Sequence, residues 1–265
     1  MINPFLIRHP SVKYNPMSDF QVRLAETPQE VESAQRLRFE VFNIEMKRGL
    51  RSSYASGIDA DGYDALCDHI LIIDKAKNMT VGTYRFLLRS RLDDGGRFYS
   101  ENEFDLSNIK KLEGEILEMG RSCVHRDYRR QAILQLLWGG IVRYLTDHDV
   151  SYIIGCPSIY TMEPREVGEI YALFKKSYFA PEHFRVFPRK SGALEGLREE
   201  EPIDGREKKI FLSLPSLIKS YLKVGAVVCG APAVDREFST VDFFMLLDVS
   251  KMSGAYLDRL RVGKS

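Results

Sequence analysis

The sequence comes nearest to acid–base chemistry in one short segment that holds Glu118, Gly120 and Arg121. The run from Glu115 to Val124 reads as a strand. Glu118 and Arg121 are three residues apart, so a regular strand would face them to opposite sides. Gly120 lies between them, and a glycine inside a strand often marks a bulge that re-aims the side chain after it. The bland alternative for Glu118 is an edge-strand carboxylate paired with a neighbouring arginine. Other reactive-looking patterns carry less. Cys67-Asp68-His69 has the residue types of a catalytic triad, but contiguous side chains rarely converge on one point. His69 and Asp74 are five apart in an apolar strand and point to opposite faces. The acidic run Asp59 to Asp64 suggests calcium, yet the calcium-loop pattern fails at Asp64 and Ile70. Cys156 ends a buried strand and has the type, though little else, of a nucleophile.

The elements that must position these residues follow from pattern. Gln21–Leu24 alternates as a short strand. Thr27 and Pro28 supply an N-cap and a first helical position, and Val31, Ala34, Leu37, Val41 and Ile44 keep close to helical spacing behind them. Residues 48–68 have no clear period and read as a long loop, often a functional feature inside a compact domain. Strands are expected at 69–74 and 80–88, joined by a turn at Lys77-Asn78, and at 115–124, 152–156 and 241–247. Helices are expected at 130–146, 164–178 and 215–223, with a charged stretch at 190–209. The mixture of strands and helices around what looks like one sheet gives an α/β (α+β) class in a single domain, 18–265, behind an N-terminal arm of residues 1–17.

Composition bounds the function. Apolar residues make up 44% and charged residues 28% of 265, ordinary for a globular chain that needs no disulfide or metal for stability. A net charge of +1 argues against a dedicated nucleic-acid binder. The four cysteines are scattered without Cys-x-x-Cys spacing, so free thiols in a reducing compartment are the simpler reading. The first twenty residues are broken by Pro4, Pro10 and Pro16 and lack the apolar core of a signal peptide. No window approaches the roughly 20 apolar residues that cross a bilayer. A cytosolic protein is expected, with peripheral contact at the inner membrane face left open. Metal sites and resident cofactors are not expected.

Several stretches resemble a known family. Arg36-Leu-Arg-Phe-Glu-Val-Phe42, Asp61-x-x-Asp64, Val81-Gly-Thr-Tyr-Arg85 and Glu118-Met-Gly-Arg121 are similar to segments of the acyl-homoserine-lactone (autoinducer) synthases, which are GNAT-like. A closer resemblance is to the ornithine N-acyltransferases, whose relatives are often labelled hemolysin-like. It is carried by Tyr63 to Ile70, Gly155-Cys-Pro-Ser158, Phe179 to Val186, and Leu214 to Ala226 continuing through Ala233-Val-Asp235 to Asp242. It spans roughly residues 20–250 and implies a GNAT-like mixed central sheet flanked by helices. The implied reaction moves a long fatty acyl chain, plain or 3-hydroxylated, from acyl carrier protein to the amine of an amino acid. Ornithine is the first expectation for the acceptor, and glycine or another amino acid the second. Acyl-CoA is the alternative donor.

Amide formation from a thioester needs a neutral amine, a stabilised oxyanion and a protonated leaving thiolate. A free α-amine has a pKa of about 8, so a base helps at neutral pH. The resemblance makes Glu118 that base, directly or through water, and makes a bulge at Gly120 the source of backbone N–H donors to the oxyanion. Arg121 follows in the same segment. Arg38, Asp64, Asp68 and Arg85 match charged positions of the pattern and are expected to pair into a network that orders the 48–68 loop and can hold an amino acid. The alternative is a salt-bridge cluster that only pins the N-terminal helix. Phe39, Phe42 and Trp138 would line an acyl tunnel, or simply fill the core. Where CoA-dependent relatives carry a glycine-rich loop, this chain has Arg129-Arg-Gln-Ala-Ile-Leu134, so Arg126, Arg129 and Arg130 present a basic face suited to acidic acyl carrier protein. Phe174 stands where many GNAT enzymes place a proton-donating tyrosine. Residues 211–250 would cap the site. Two rival readings remain at this stage: a synthase of a diffusible acyl signal, and a non-catalytic relative that binds carrier protein or lipid. Direct lysis by this chain has no physical basis in the sequence.

Overall fold

Thr27 opens the first helix as its pattern predicts, its side chain accepting the Glu30 N–H while Pro28 occupies the first turn. The computed structural model describes residues 19–252 apart from 94, 130 and 199, so the 1–17 arm and Arg130 lie outside the described residues. In chain order the elements are β1 (Phe20–Leu24), α1 (Pro28–Arg38), α2 (Ser53–Ser56), β2 (Asp68–Asp74), β3 (Met79–Leu88), β4 (Phe104–Asp105), β5 (Glu115–Val124), α3 (Gln131–Asp147), β6 (Val150–Gly155), β7 (Ser158–Ile159), α4 (Pro164–Ser177), β8 (Phe187–Pro188), α5 (Glu207–Ser213), α6 (Ser216–Val224), β9 (Val227–Val228), β10 (Ala233–Asp235), β11 (Thr240–Asp242) and β12 (Met245–Asp248), with short 3-10 turns between. The helical pattern that runs past Arg38 continues as a wider π-turn over Phe39–Glu45, in which Met46 donates to Val41 five residues back. Such wider turns are rare and are frequent at functional sites.

The expected mixed central sheet is present, and two smaller sheets accompany it. The main sheet has seven strands in the order β1-β2-β3-β5-β6-β12-β9, and a second has β10-β11-β7. β4 and β8 form a separate two-stranded pair. Pairing in the main sheet is antiparallel except between β5 and β6. The strand expected over 241–247 is instead two strands in two sheets, β11 and β12. Phe243 and Phe244 sit between them, both fully buried, in separate apolar clusters. The second sheet repeats the order of one half of the first, β7-β11-β10 continuing β6-β12-β9. That half therefore bends away as it leaves the main sheet.

Period-two alternation splits the core. Phe86, Leu117, Ile153 and Leu247 pack on one face with α3, α4 and α6. Their neighbours Leu87, Ile116, Ile154 and Leu246 pack on the other with Phe98, Phe104 and Phe184. Glu118 and Arg85 share the second side, two residues from Ile116 and Leu87. The C-terminal stretch 211–250 supplies β12, which pairs with β6 inside the main sheet, as well as residues over the cleft.

Candidate active site

The parallel pairing of β5 with β6 ends at Glu118 and Ile154. Beyond that point β5 runs on through Gly120 to Val124, still paired to β3, while β6 turns through Cys156 and Pro157 into β7. The two strands part, and the gap is a cleft of about 190 Å³. Its root is tight: a Cβ on Gly155 would come within 2.7 Å of the Met119 carbonyl oxygen. Gly120 is the opposite case, since a Cβ there would meet nothing within 4 Å. It faces open space in the cleft wall.

The bulge expected at Gly120 is present one residue later. Thr83 pairs with Cys123 and Arg85 with Gly120, so Tyr84 alone stands opposite both Arg121 and Ser122. Arg121 carries the left-handed backbone, with φ at +54°, a conformation that costs a non-glycine residue on the order of 1–3 kcal/mol. Its side chain contacts offset that cost. The guanidinium bonds Asp61 at 3.0 Å and lies 3.5 Å from Asp59. It also stacks 5.0 Å from the Tyr99 ring centre and 4.5 Å from that of Phe238. Its Nε is buried and has no hydrogen-bond partner.

Glu118 lies in the cleft wall almost fully buried. One carboxylate oxygen accepts the Tyr99 N–H at 2.6 Å, and the other accepts the Ser100 N–H at 2.8 Å and the Ser100 hydroxyl. The carboxylate thus anchors the 3-10 turn Tyr99–Asn102 against the cleft. Burial pushes its pKa up, against the pull of those bonds. The oxygen with a single donor keeps acceptor capacity. Sequence reasoning missed this turn.

Arg38, Asp64 and Arg85 do meet, and Asp59 and Asp61 join them. Arg38 bonds Asp59 at 2.8 Å and grips both oxygens of Asp64 at 2.8 and 2.9 Å. Arg85 bonds Asp61 at 2.6 Å and Asp64 at 3.1 Å. With Arg121 the set holds three guanidiniums and three carboxylates. Burial alone would raise Asp64, but the Arg38 bonds and the charges of Arg38 and Arg85 hold it well below the usual carboxylate range. Asp61 is lowered in the same way, burial being overcome by Arg85 and then Arg121. The cluster ties the 59–64 segment to α1, β3 and β5, as both readings of the network require. Asp68 stands apart from it, a correction to the expected network. It begins β2 facing Arg91 at 2.7 Å and accepts the Tyr144 hydroxyl at 2.6 Å.

The aromatic candidates divide. Phe42 lines the cleft with Met46, both placed by the π-turn. Trp138 packs edge-on to Tyr221, ring centres 6.1 Å apart, in a narrow apolar slot that also meets Ile153 and Met245. Tyr221 lines slot and cleft alike. Phe39 reaches neither and packs on Tyr54 at 5.6 Å. Phe174 is buried against Phe243, whereas the hydroxyls of Ser158 and Tyr160 stand in the cleft wall opposite β5. Arg126 is exposed, its side chain 70% accessible. Arg129 is tied to both oxygens of Glu45, at 2.6 and 2.7 Å. The Cys156 thiol donates to Ser100, and burial lifts it well above the usual thiol range, which leaves little thiolate for nucleophilic attack. Also in the wall, and invisible to any spacing argument, are Asp235 and Asp242. Among the described residues no helix is long and apolar enough to cross a membrane.

A parallel pair that splays beside a bulged strand is the frame expected of the GNAT fold, and comparison with known proteins agrees. The sequence model of the acetyltransferase (GNAT) domain matches residues 37–139, from the end of α1 into α3. The solved structure of FeeM, an N-acyl amino acid synthase from uncultured soil microbes, is similar with a TM-score of 0.53 at 11% identity, over 90% of this chain and 98% of that one. BjaI, a CoA-dependent acyl-homoserine lactone synthase, is similar with a TM-score of 0.51 at 15% identity, over 89% of this chain and 83% of its own. This protein is an N-acyltransferase with a GNAT fold. In sequence, the L-ornithine Nα-acyltransferase of Rhodobacter capsulatus is 33% identical over 240 residues, 88% of this chain and 92% of that protein. The chain belongs to the L-ornithine Nα-acyltransferase family.

Proposed function

We propose that the enzyme transfers a long acyl chain from acyl carrier protein to the α-amine of ornithine, by direct attack of the amine on the thioester. The observation that carries this reading is the bulge at Arg121–Ser122, set in the wall of the splayed strands beside an open Gly120. The thioester carbonyl would lie against the backbone N–H groups of the bulge, where a developing oxyanion is stabilised by fixed donors. Glu118, its pKa raised by burial, would take the amine proton through a water at its less-bonded oxygen. The Arg121 guanidinium, which lines the cleft, suits the acceptor's carboxylate. The acyl chain would run past Phe42 and Tyr221 toward the Trp138 slot, and Ser158 or Tyr160 would supply the proton to the leaving thiolate. The acceptor is carried over from the relatives named as L-ornithine Nα-acyltransferases.

For the donor, exposed Arg126, in the 3-10 turn that precedes α3, favours an acidic carrier protein. Arg129, engaged by Glu45, offers less of its charge to a partner. The test is to incubate purified protein with palmitoyl or 3-hydroxyacyl carrier protein, or the matching acyl-CoA, and single amino acids, reading products by mass spectrometry. N-acylornithine formed from the carrier-protein donor is expected. Product from acyl-CoA alone would overturn the carrier-protein reading, and preference for a monoamino acid would overturn the acceptor.

A further inference from the structure

The cleft wall holds a second acidic group, and among the described residues this one has no ion-pair partner. Oxygens of Glu103, Asp235 and Asp242 lie within 4.8 Å of one another. Glu103 and Asp242 are more than nine-tenths buried, and Asp235 and Asp242 line the cleft. Hydrogen bonds satisfy part of the group. Thr240 donates to Asp242 at 2.9 Å, and the N–H groups of Glu237 and Phe238 donate to Asp235 at 2.8 and 2.9 Å. Glu103 Oε2, however, is buried without any partner. Among the described residues, no lysine or arginine forms an ion pair with any of the three. The Asp59, Asp61 and Asp64 set, by contrast, has a guanidinium for each carboxylate. Two buried carboxyl groups beside a half-buried third, with no ion-pair partner among the described residues, are unfavourable in their charged forms; burial followed by mutual repulsion raises the pKa of both Glu103 and Asp242, against a smaller pull from Arg121. The group is built for a positive charge that comes from outside the chain.

Its dimensions suit an ammonium. With all three oxygens within 4.8 Å of one another, a central group would lie no more than about 2.8 Å from each, within the reach of an N⁺–H···O⁻ bond of about 2.7–2.9 Å. Calcium and magnesium take six or more oxygen ligands, twice the number of side chains gathered here. A primary ammonium has three N–H donors for three acceptors. The group is also joined to the reacting wall: Phe238, whose N–H bonds Asp235, carries the Arg121 guanidinium 4.5 Å above its ring. An amino acid whose carboxylate met Arg121 could extend its side chain along Phe238 to the acidic group.

We propose that Glu103, Asp235 and Asp242 form the socket for the distal ammonium of a diamino-acid acceptor and so select ornithine-like acceptors over monoamino acids of the same length. The inference rests on the acceptor assigned under Proposed function. The experiment compares ornithine with norvaline, its analogue without the distal amine, in the full-length enzyme with one acyl donor. Wild type should favour ornithine in kcat/KM. In Asp242→Asn and Glu103→Gln that preference should fall by about tenfold to a hundredfold, through a rise in ornithine KM with little change in kcat. Thermal denaturation of the same variants should show no loss of stability, because each change replaces a carboxyl group whose charged form is disfavoured by burial and repulsion. If both folded variants keep the wild-type preference, the socket is refuted while ornithine remains the acceptor. A wild-type enzyme that favours norvaline refutes the acceptor and the socket together. Saturable Mn²⁺ binding that is lost in Asp242→Asn, with transfer abolished by EDTA, would assign the group to a metal and overturn the proposal.

Discussion

Asp64→Asn is the sharpest test of how the charged cluster holds this fold. Asp64 accepts from Arg38 at 2.8 and 2.9 Å, from Arg85 at 3.1 Å, from the Asp61 N–H at 3.0 Å and from Gln35 at 3.2 Å. Its side chain is 7% exposed and that of Arg38 is 1% exposed, so solvent screens little of the interaction. Asparagine keeps the shape but points an N–H at one guanidinium and leaves three cations facing two anions. Removing one partner of a buried pair costs about 3–5 kcal/mol. For a chain of this size that is a fall of about 6–20 °C in Tm. Urea unfolding at pH 7 is the assay. The pH dependence follows in sign. The folded pKa of Asp64 lies below the unfolded value of about 3.9. Its contribution is therefore complete above that value and is lost as pH falls through the depressed folded pKa. The gap between wild type and Asp64→Asn should be full at pH 7 and should narrow below about pH 4. Arg38→Met combined with Asp64→Asn restores two cations to two anions, so the pair should cost less than the sum of the single changes. A gap under about 1 kcal/mol at pH 7, or a strictly additive double variant, would refute the reading of the cluster as one balanced unit.

Three further outcomes follow. Gly155→Ala places a Cβ 2.7 Å from the Met119 carbonyl oxygen, so strands that must stay close at the root of the cleft are forced apart; a loss of about 1–3 kcal/mol is expected in urea unfolding. Glu118→Gln puts one amide N–H against a backbone N–H of Tyr99 or Ser100; transfer should fall at least about tenfold, and the acid limb of the kcat–pH profile, which burial of Glu118 places above the ordinary carboxylate range, should vanish. Cys156 should resist iodoacetamide in the folded protein at pH 8 and react on unfolding, as mass mapping would report.

Local signals in the sequence were reliable where the structure they specify is local. Thr27-Pro28 starts α1 within its own turn, and Gly120 announces an irregular strand because a glycine inside a strand often marks a bulge. Even so, the left-handed backbone falls on Arg121, since the contacts that offset its cost come from Asp61, Tyr99 and Phe238, distant in sequence. The resemblance placed Arg38, Asp64 and Arg85 together correctly but added Asp68, whose position at the start of β2 turns it toward Arg91 and Tyr144. The apolar run 241–247 reads as one strand because periodicity does not register a change of sheet. The break at Phe243–Phe244 is set by Pro157 and Cys229, whose backbones pair with those two residues. Glu103 and Asp242 are 139 positions apart, and nothing in either neighbourhood points to the other.

The two acidic clusters that border the cleft divide positioning from recognition on electrostatic grounds. Asp59, Asp61 and Asp64 are matched by Arg38, Arg85 and Arg121, so their energy is at a minimum without a ligand and the segment they hold is fixed before substrate arrives. Glu103, Asp235 and Asp242 have no such match among the described residues, so their repulsion is relieved by a proton or by a cation that enters. Arg121 borders both, bonded to Asp61 on one side and stacked on Phe238 beside Asp235 on the other. A neutral acceptor side chain would leave the second cluster as it stands and would gain nothing from it. A side chain that ends in an ammonium relieves the repulsion and, in doing so, is drawn to the wall that carries the bulge. Selectivity of this kind comes from a destabilised empty site, which is why removing its charges should cost acceptor preference but not stability.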